Sequence, residues 1–426
     1  MRAIIETLRN AWKIADLRKR ILVTLFFLLL FRLGAAIPVP GLNPDILKEL
    51  LGGASIFNFA NIIGGGALAR ATIFALGITP YITASIIMNL LAVAIPKLEQ
   101  LAKEGEEGRK IMAQYTRYGT VVLAFLQATG FYFGLRDAVM TRGWFSFVTI
   151  TLTFTAGTAI LMWLGEQITE HGIGNGISLI IFAGILSQGP AAYGALMAQK
   201  EIIGTGIMLY VGIAAIVLVF LAVVTAVVWV QEAERRIPVQ YAKRVVGRKM
   251  YGGQSTHIPI KVNMAGVIPI IFASSFIMLP PTIVGFFWAN STHPVAVFFR
   301  HFPEKPWVAV LNGVLIMFFT FFYTFIQFNP VELANNLKKN GGFIPGIRPG
   351  KPTSDYIFKV VNRITWFSAV FIAAIQLFPS LLGTLTKLQG VWIAGSSIMI
   401  MVGVALETVK QIESQMIMRH YKGFLE

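Results

Sequence analysis

Residues 77–88 read GITPYITASIIM, and residues 266–277 read GVIPIIFASSFI. At a constant offset of 189 residues, Gly77, Pro80, Ile82, Ala84 and Ser85 recur as Gly266, Pro269, Ile271, Ala273 and Ser274. Pro and Gly near the start of a membrane helix weaken its backbone hydrogen bonding and permit a bend, and small Ala and Ser let helices approach closely or part. A chain rich in Ile, Ala and Gly can match itself by chance, and two ordinary kinked helices would read the same way. What gives the match weight is where the copies sit, each opening a long apolar stretch.

The chain holds ten such stretches, at about Ile21–Ile37, Ile73–Ile95, Tyr118–Leu135, Phe145–Gly165, Ile177–Gln188, Ile207–Val230, Met264–Ala289, Val308–Phe328, Ile364–Leu382 and Val391–Leu406. Hydrophobic residues make up 55% of the chain and charged residues 13%, against about 25% charged in a soluble domain. A hydrocarbon core about 30 Å thick is crossed by roughly 20 apolar residues in a helix. Barrel strands are about ten residues of alternating polarity, whereas these runs are longer and apolar on both faces. The sequence therefore predicts an all-α polytopic membrane protein with ten transmembrane helices. Divided after the fifth span, it forms two halves, residues 1–200 and 201–426, and the repeat opens the second span of each. A half with five spans reverses its direction, so the halves would be related as an inverted repeat. Arg18, Lys19 and Arg20 before the first span resemble a signal peptide, but no small-residue cleavage site follows, so a retained helix is expected. The absence of cysteine excludes disulfides and thiolate metal sites.

The net charge of +16 is distributed unevenly. With ten spans, the segments Met1–Arg20, Lys97–Arg117, Glu232–Val262, Pro330–Arg363 and Thr408–Glu426 share one side and carry 27 of the 36 Lys and Arg. The opposite loops carry 8, and Arg32 lies within the first span. Positive charge is retained on the cytoplasmic side, so both termini are expected there. Topology alone accounts for many of these charges. Glu232–Val262 and Pro330–Arg363 exceed that need, being long, polar and punctuated by Gly and Pro, as suits protruding hairpins that an acidic cytosolic partner could grip.

Coupled transporters usually place ionisable groups at membrane depth. Here Tyr118–Leu135, Gly143–Gly165, Gly172–Gln199, Ile202–Gln231, Val262–Thr292, Trp307–Val331 and Ile364–Thr386 contain no Asp, Glu, Lys, Arg or His. Arg32 can snorkel to the outer interface. A passive conduit fits better than a pump, although inverted repeats and broken helices also suit a secondary transporter. An embedded enzyme is the weakest alternative. The chain has no Walker loop, HExxH or GxSxG, and Glu166, Glu170 and His171 are read as a short polar connection without metal-ligand partners. No cofactor is expected.

Between the first two spans, Pro38, Pro40, Gly41 and Pro44 precede an apolar piece, Phe57–Ala71, interrupted by Gly64, Gly65 and Gly66. It is too short to span and too apolar to lie free in water. A re-entrant segment meets both limits, as does a small interfacial helix. Four-residue spacing puts Ile78, Ile82 and Ile86 on one helix face, and Ile177 and Ile181 on another. Such spacing ordinarily means packing or lipid contact.

Several strings in order resemble the SecY family, the central pore subunits of the bacterial preprotein translocase. They are RATIFALGI at Arg70–Ile78 followed by PYITASI, QYTRYGT at Gln114–Thr120, MWLGEQITEHGIGNGIS at Met162–Ser178, YAKR at Tyr241–Arg244, QSTHIPIKVNMAGVIP at Gln254–Pro269 and FIPGIRPGKPT at Phe343–Thr353. The resemblance covers nearly the whole chain. It implies a channel for unfolded secretory chains, with two halves opening like a clamshell at a lateral gate flanked by the second, third, seventh and eighth helices. It implies a pore ring at Ile78, Ile82, Ile177, Ile181, Ile271 and Ile400, aliphatic groups that close around a moving chain and resist wetting when empty. The plug would include Asn61, Ile62, Ile63, Gly64, Gly65 and Gly66, although FNFANIIGGGAL departs from the family's bacterial pattern. Thr83, Asn89, Gln127, Ser274 and Ser275 fall on or near the gate helices. The two cytoplasmic loops would dock the ribosome and the SecA motor through Arg244 and Arg348, supported by Arg235, Arg236, Lys243, Arg248 and Lys249. The further partners implied are the SecE and SecG subunits, signal peptides, translocating polypeptides and membrane lipids, in a bacterial cell membrane.

Overall fold

The computed structural model describes residues 9, 11–47, 64–134, 136–198, 207–241, 244–246, 249–251, 255–288, 293–302, 305–386 and 395–422. In chain order the helices are α1 (Ala15–Gly34), α2 (Thr79–Ala94), α3 (Pro96–Lys103), α4 (Glu106–Gly134), α5 (Trp144–His171), α6 (Gly176–Leu186), α7 (Gly189–Ala198) and α8 (Ile207–Glu232). Four strands come next, β1 (Glu234–Tyr241), β2 (Arg244–Val246), β3 (Lys249–Tyr251) and β4 (Ser255–Lys261). Then come α9 (Ile268–Phe287), α10 (Pro294–Arg300), α11 (Pro306–Gln327), α12 (Pro330–Lys339), β5 (Gly342–Phe343), α13 (Lys351–Thr386) and α14 (Gly395–Lys422). Proline marks several of these starts, at Pro80, Pro96, Pro294 and Pro330, because its missing N–H has no helical partner there in any case.

Helix boundaries depart from the apolar stretches in two ways. The stretch from Ile73 turns helical only at Thr79, since residues 64–78 form successive turns. Conversely, α13 starts at Lys351 and α14 runs on to Lys422, beyond the apolar residues that mark them. Apolar content marks what suits hydrocarbon, while a helix continues through polar sequence wherever backbone propensity and packing allow. For the same reason Glu166, Glu170 and His171 are not a connection: they belong to the last turns of α5.

Trp144–His171, Tyr210–Glu232, Trp307–Lys339 and Lys351–Gly383 are long and apolar enough to cross a membrane. In the second of these only 6% of the most apolar window is buried. Leu25, Phe26, Leu29, Val122, Leu126, Leu218 and Trp229 likewise stand exposed. Contiguous surfaces of this kind suit lipid rather than water.

The described residues form two compact units. The first comprises Met1–Ala198, Ser275–Val308 and Val404–Glu426, and the second Gln199–Ser274 and Ala309–Gly403. In the first unit, the segment 37–39 pairs with 71–73: Val39 N–H donates to Ala71 O at 2.7 Å and Ile73 N–H to Ile37 O at 3.0 Å. These strands of chain bury Val39, Leu42, Leu68, Ala75 and Leu76 against Tyr132 of α4 and Ile150 and Phe154 of α5.

In the second unit, the two polar loops expected to protrude are joined to each other. β4, β1 and β5 form one antiparallel sheet, in which Ile237 faces Ile258 and Gln240 faces Phe343. Ile237, Val239 and Ile260 of this sheet share a buried core with Leu337 of α12, Ile344, and Ile357 and Val361 of α13. The two loops are therefore a single folded module. β2 and β3 form a separate two-stranded sheet in register Arg244↔Tyr251.

Candidate functional site

The sequence repeat that opens α2 and α9 is also a repeat of backbone geometry. Gly77 has φ +59° and Gly266 φ +62°, and helix begins two residues later in both, at Thr79 and Ile268. Left-handed backbone of this kind favours glycine because a Cβ would crowd the following carbonyl. Each glycine N–H is held by an acceptor three residues earlier. Gly77 donates to the Phe74 carbonyl at 2.8 Å, and Gly266 donates to the Asn263 side-chain Oδ1 at 2.9 Å. Asn263 Nδ2 completes its loop by donating to the Gly266 carbonyl at 3.2 Å.

Helix α5 fixes the first of these starts. A Cβ at Gly157 would overlap the Ile73 carbonyl oxygen, so the turn before α2 lies directly on the backbone of α5. Next to it, the Thr158 hydroxyl donates to the Gly77 carbonyl at 3.4 Å. Ile78, at the cap of α2, is buried, and Ile82 is half-buried one turn further on.

Ile177 and Ile181 begin α6, whose entry is just as tight. A Cβ at Gly176 would overlap the Gly165 carbonyl, and one at Gly165 would lie 3.1 Å from Ile177. Asn175 caps α6 by accepting from Ser178 N–H at 3.2 Å, and Thr169 Oγ1 accepts from Gly176 N–H at 2.9 Å. Helix α1 braces the same turn, since Ile173 N–H donates to Thr24 Oγ1 at 3.0 Å. Thus Ile78, Ile82, Ile177 and Ile181 are positioned in the first unit by close backbone contacts. Ile271 on α9 and Ile400 on α14 belong to the second unit, Ile271 half-buried and Ile400 buried.

The polar residues expected at the gate divide by environment. Thr83 donates to the Thr79 carbonyl of its own helix at 3.0 Å, Ser274 is buried, Ser275 and Gln127 are half-buried, and Asn89 is exposed. Sequence reasoning missed the ion pair between Arg117 of α4 and Glu166 of α5, whose Nε–Oε1 distance is 2.6 Å. Its signal, opposite charges ending adjacent spans, was obscured by reading Glu166 as a connection.

Of the expected plug residues, Asn61, Ile62 and Ile63 lie outside the described residues. Gly64–Arg70 form consecutive turns, with Gly65 at φ +65° and Gly66 at φ +79°. Arg70 donates from Nη2 to the Gly65 carbonyl at 2.7 Å and from Nε to the Gly66 carbonyl at 3.1 Å. Burial, and then the like charge of Arg32, lower the Arg70 pKa from its ordinary value, but a guanidinium so basic stays protonated at neutral pH.

In the second unit, Arg235 and Arg236 sit on β1, Arg244 on β2 and Lys249 on β3, while Lys243 and Arg248 lie outside the described residues. Arg236 is engaged by Glu234 at 2.7 Å. Arg348 is exposed on the turn between Gly346 (φ +80°) and Gly350 (φ +101°), and its carbonyl accepts from Thr353 Oγ1 at 2.8 Å. That bond pins the turn to the first residues of α13.

The SecY family model matches residues 72–409. The protein translocase subunit SecY of Halalkalibacterium halodurans is 48% identical over 99% of this chain and 100% of its own length. Two solved structures share the fold at 20% identity. A protein-conducting channel superposes with TM-score 0.67 over 94% of this chain and 93% of its own. A SecY structure, described as having a plug domain that stabilises the closed state and maintains a membrane seal, gives TM-score 0.65 over 94% and 92%. With a family model spanning most of its length and a relative this similar from end to end, the chain belongs to the SecY family of multi-pass membrane channel subunits.

Proposed function

We infer that the chain is a protein-conducting channel, a translocase subunit rather than an enzyme, through which unfolded secretory chains cross the membrane. The observation that carries this reading is the 48% identity to a translocase subunit over 99% of the chain. We propose ten membrane crossings in two inverted halves, divided near residue 200, with both termini in the cytoplasm of a bacterial cell. The matching glycine starts at Gly77 and Gly266 support such a relation.

In this proposal Ile78, Ile82, Ile177, Ile181, Ile271 and Ile400 ring the constriction. Branched aliphatic side chains offer a passing polypeptide no polar site to bind, and a narrow apolar collar dewets when empty, which blocks ions. The glycine-rich segment before Arg70 acts as the plug. Thr83, Asn89, Gln127, Ser274 and Ser275 set how readily the gate helices part to release apolar segments and signal peptides into lipid. SecE and SecG complete the complex. The ribosome or the SecA motor grips Arg244 and Arg348, assisted by Arg235, Arg236, Lys243, Arg248 and Lys249, and charge complementarity speeds that docking.

The test is to replace Ile82, Ile271 and Ile400 together by Gly or Ser. Membranes holding the variant are expected to leak small ions while export of a secretory precursor continues. Unchanged ion conductance would remove the ring. Uptake of a small solute by the purified chain in liposomes would favour a transporter.

A further inference from the structure

Arg70 grips a turn that is also pressed against another helix. Its two bonds to the Gly65 and Gly66 carbonyls hold one side of that turn. On the other side lies the C-terminal end of α6. Ser187 Oγ donates to the Gly184 carbonyl at 2.7 Å and reaches the Gly65 carbonyl at 3.4 Å. A Cβ at Gly65 would lie 2.9 Å from Ser187 Oγ and 3.0 Å from Gly184 Cα, and one at Gly66 would lie 2.8 Å from Gln188 Nε2. Only glycine, in left-handed backbone, fits between the guanidinium and the end of α6.

The chain beyond Arg70 is anchored independently. Thr72 Oγ1 donates to the Ala67 carbonyl at 3.1 Å, Ile73 N–H bonds Ile37, and the Ile73 carbonyl lies against Gly157. If the guanidinium lets go, residues 71–77 keep these attachments, and the freedom gained is confined to the Gly64–Gly66 turn. Charge-assisted bonds to two adjacent carbonyls are strong and directional, which suits a latch that holds firmly and releases as a unit.

We propose that Arg70 is a positioning residue of the closed channel: it staples the Gly65–Gly66 turn against the end of α6, and opening requires that staple to release. The proposal rests on the reading of this segment as the plug.

The experiment compares Arg70→Met, Arg70→Lys and Gly66→Ala with the unaltered chain in proteoliposomes. It measures resting efflux of a small anionic dye without precursor, and import of a precursor driven by the motor in the same vesicles. Arg70→Met is expected to raise resting efflux several-fold with import at or above the unaltered level, and Arg70→Lys to fall between. Gly66→Ala keeps the guanidinium itself but strains the left-handed turn and sets a Cβ 3.2 Å from Arg70 Nη2, and is expected to raise efflux as well. A purely structural role would lower import and thermal stability together without resting efflux, and that outcome overturns the proposal. A chain lacking residues 57–63 separates the two readings. Efflux from that deletion but not from Arg70→Met or Gly66→Ala refutes the staple and leaves the plug; efflux from none of them refutes both. Should Arg70→Met fail to accumulate, Gly66→Ala decides.

Discussion

Replacing Gly157 by Ala adds one methyl group to α5 at the point where the turn before α2 crosses it. The added Cβ would stand 2.9 Å from the Ile73 carbonyl carbon and overlap its oxygen, whereas carbon atoms pack favourably at about 3.5–4.0 Å. Neither party is a flexible side-chain end, so backbone must move. Overpacking of this kind costs about 1–3 kcal/mol, and the gain from Ala over Gly within a helix, roughly 0.5–1 kcal/mol, offsets only part of it. The net expectation is a loss of about 1–2 kcal/mol. Gly194 in α7 supplies the opposing case, since it is exposed and a Cβ there meets nothing within 4 Å. There the same substitution should stabilise by about 0.5–1 kcal/mol. The assay is the midpoint of thermal unfolding in detergent, paired with amide hydrogen exchange. Gly157→Ala should lower the midpoint and speed exchange across 73–77 about 5–30-fold, the ratio that one to two kcal/mol represents. The amides of α11 should exchange unchanged. Equal or higher stability of Gly157→Ala, or a shift of the same sign in Gly194→Ala, would refute the close-contact argument.

At Gly266, where a Cβ meets nothing within 4 Å, Ala should cost about 1–2 kcal/mol from left-handed backbone alone, and Asn should cost less; a thermal midpoint unchanged by Ala would contradict this. Asn329 accepts from the N–H groups of Val331 and Glu332 at the start of α12, so Asn329→Ala should destabilise by about 1 kcal/mol, read as faster amide exchange in that helix. Ile237 is buried in the core shared by the sheet, α12 and α13, and Ile237→Ala should cost about 2–5 kcal/mol, exposing the β1–β4 and α12–β5 segments to protease together; cleavage of one alone would mean they fold separately. Arg348→Glu should abolish motor-driven translocation while resting ion conductance stays normal, and normal translocation would remove Arg348 from the docking surface.

The apolar stretches were legible as helix because hydrocarbon constrains composition directly, and among the described residues four helices are long and apolar enough to cross a membrane. The Gly77 and Gly266 repeat was legible as a string, and its meaning became physical only when both glycines proved left-handed at the same distance from a helix start. Other features depend on partners distant in sequence. β1 pairs with both β4 and β5, and nothing in either loop's own pattern announces that the two form one sheet. The contacts of Arg70 are backbone carbonyls, which carry no side-chain signature. Gly157, Gly165 and Gly176 looked like ordinary small residues of membrane helices until the facing carbonyls located them. Glu166 was misplaced because a charge at the end of an apolar run resembles the end of the helix, while α5 continues to His171.

The central claim is that a polypeptide passes the isoleucines at the start of α2. A photoreactive residue placed at Ile82, with a secretory precursor arrested midway through translocation, tests it most directly, with the same group at exposed Val122 of α4 as the comparison. The account predicts strong crosslinks from position 82 to the precursor and crosslinks only to lipid from position 122. Equal labelling from both positions, or none from position 82, would contradict it.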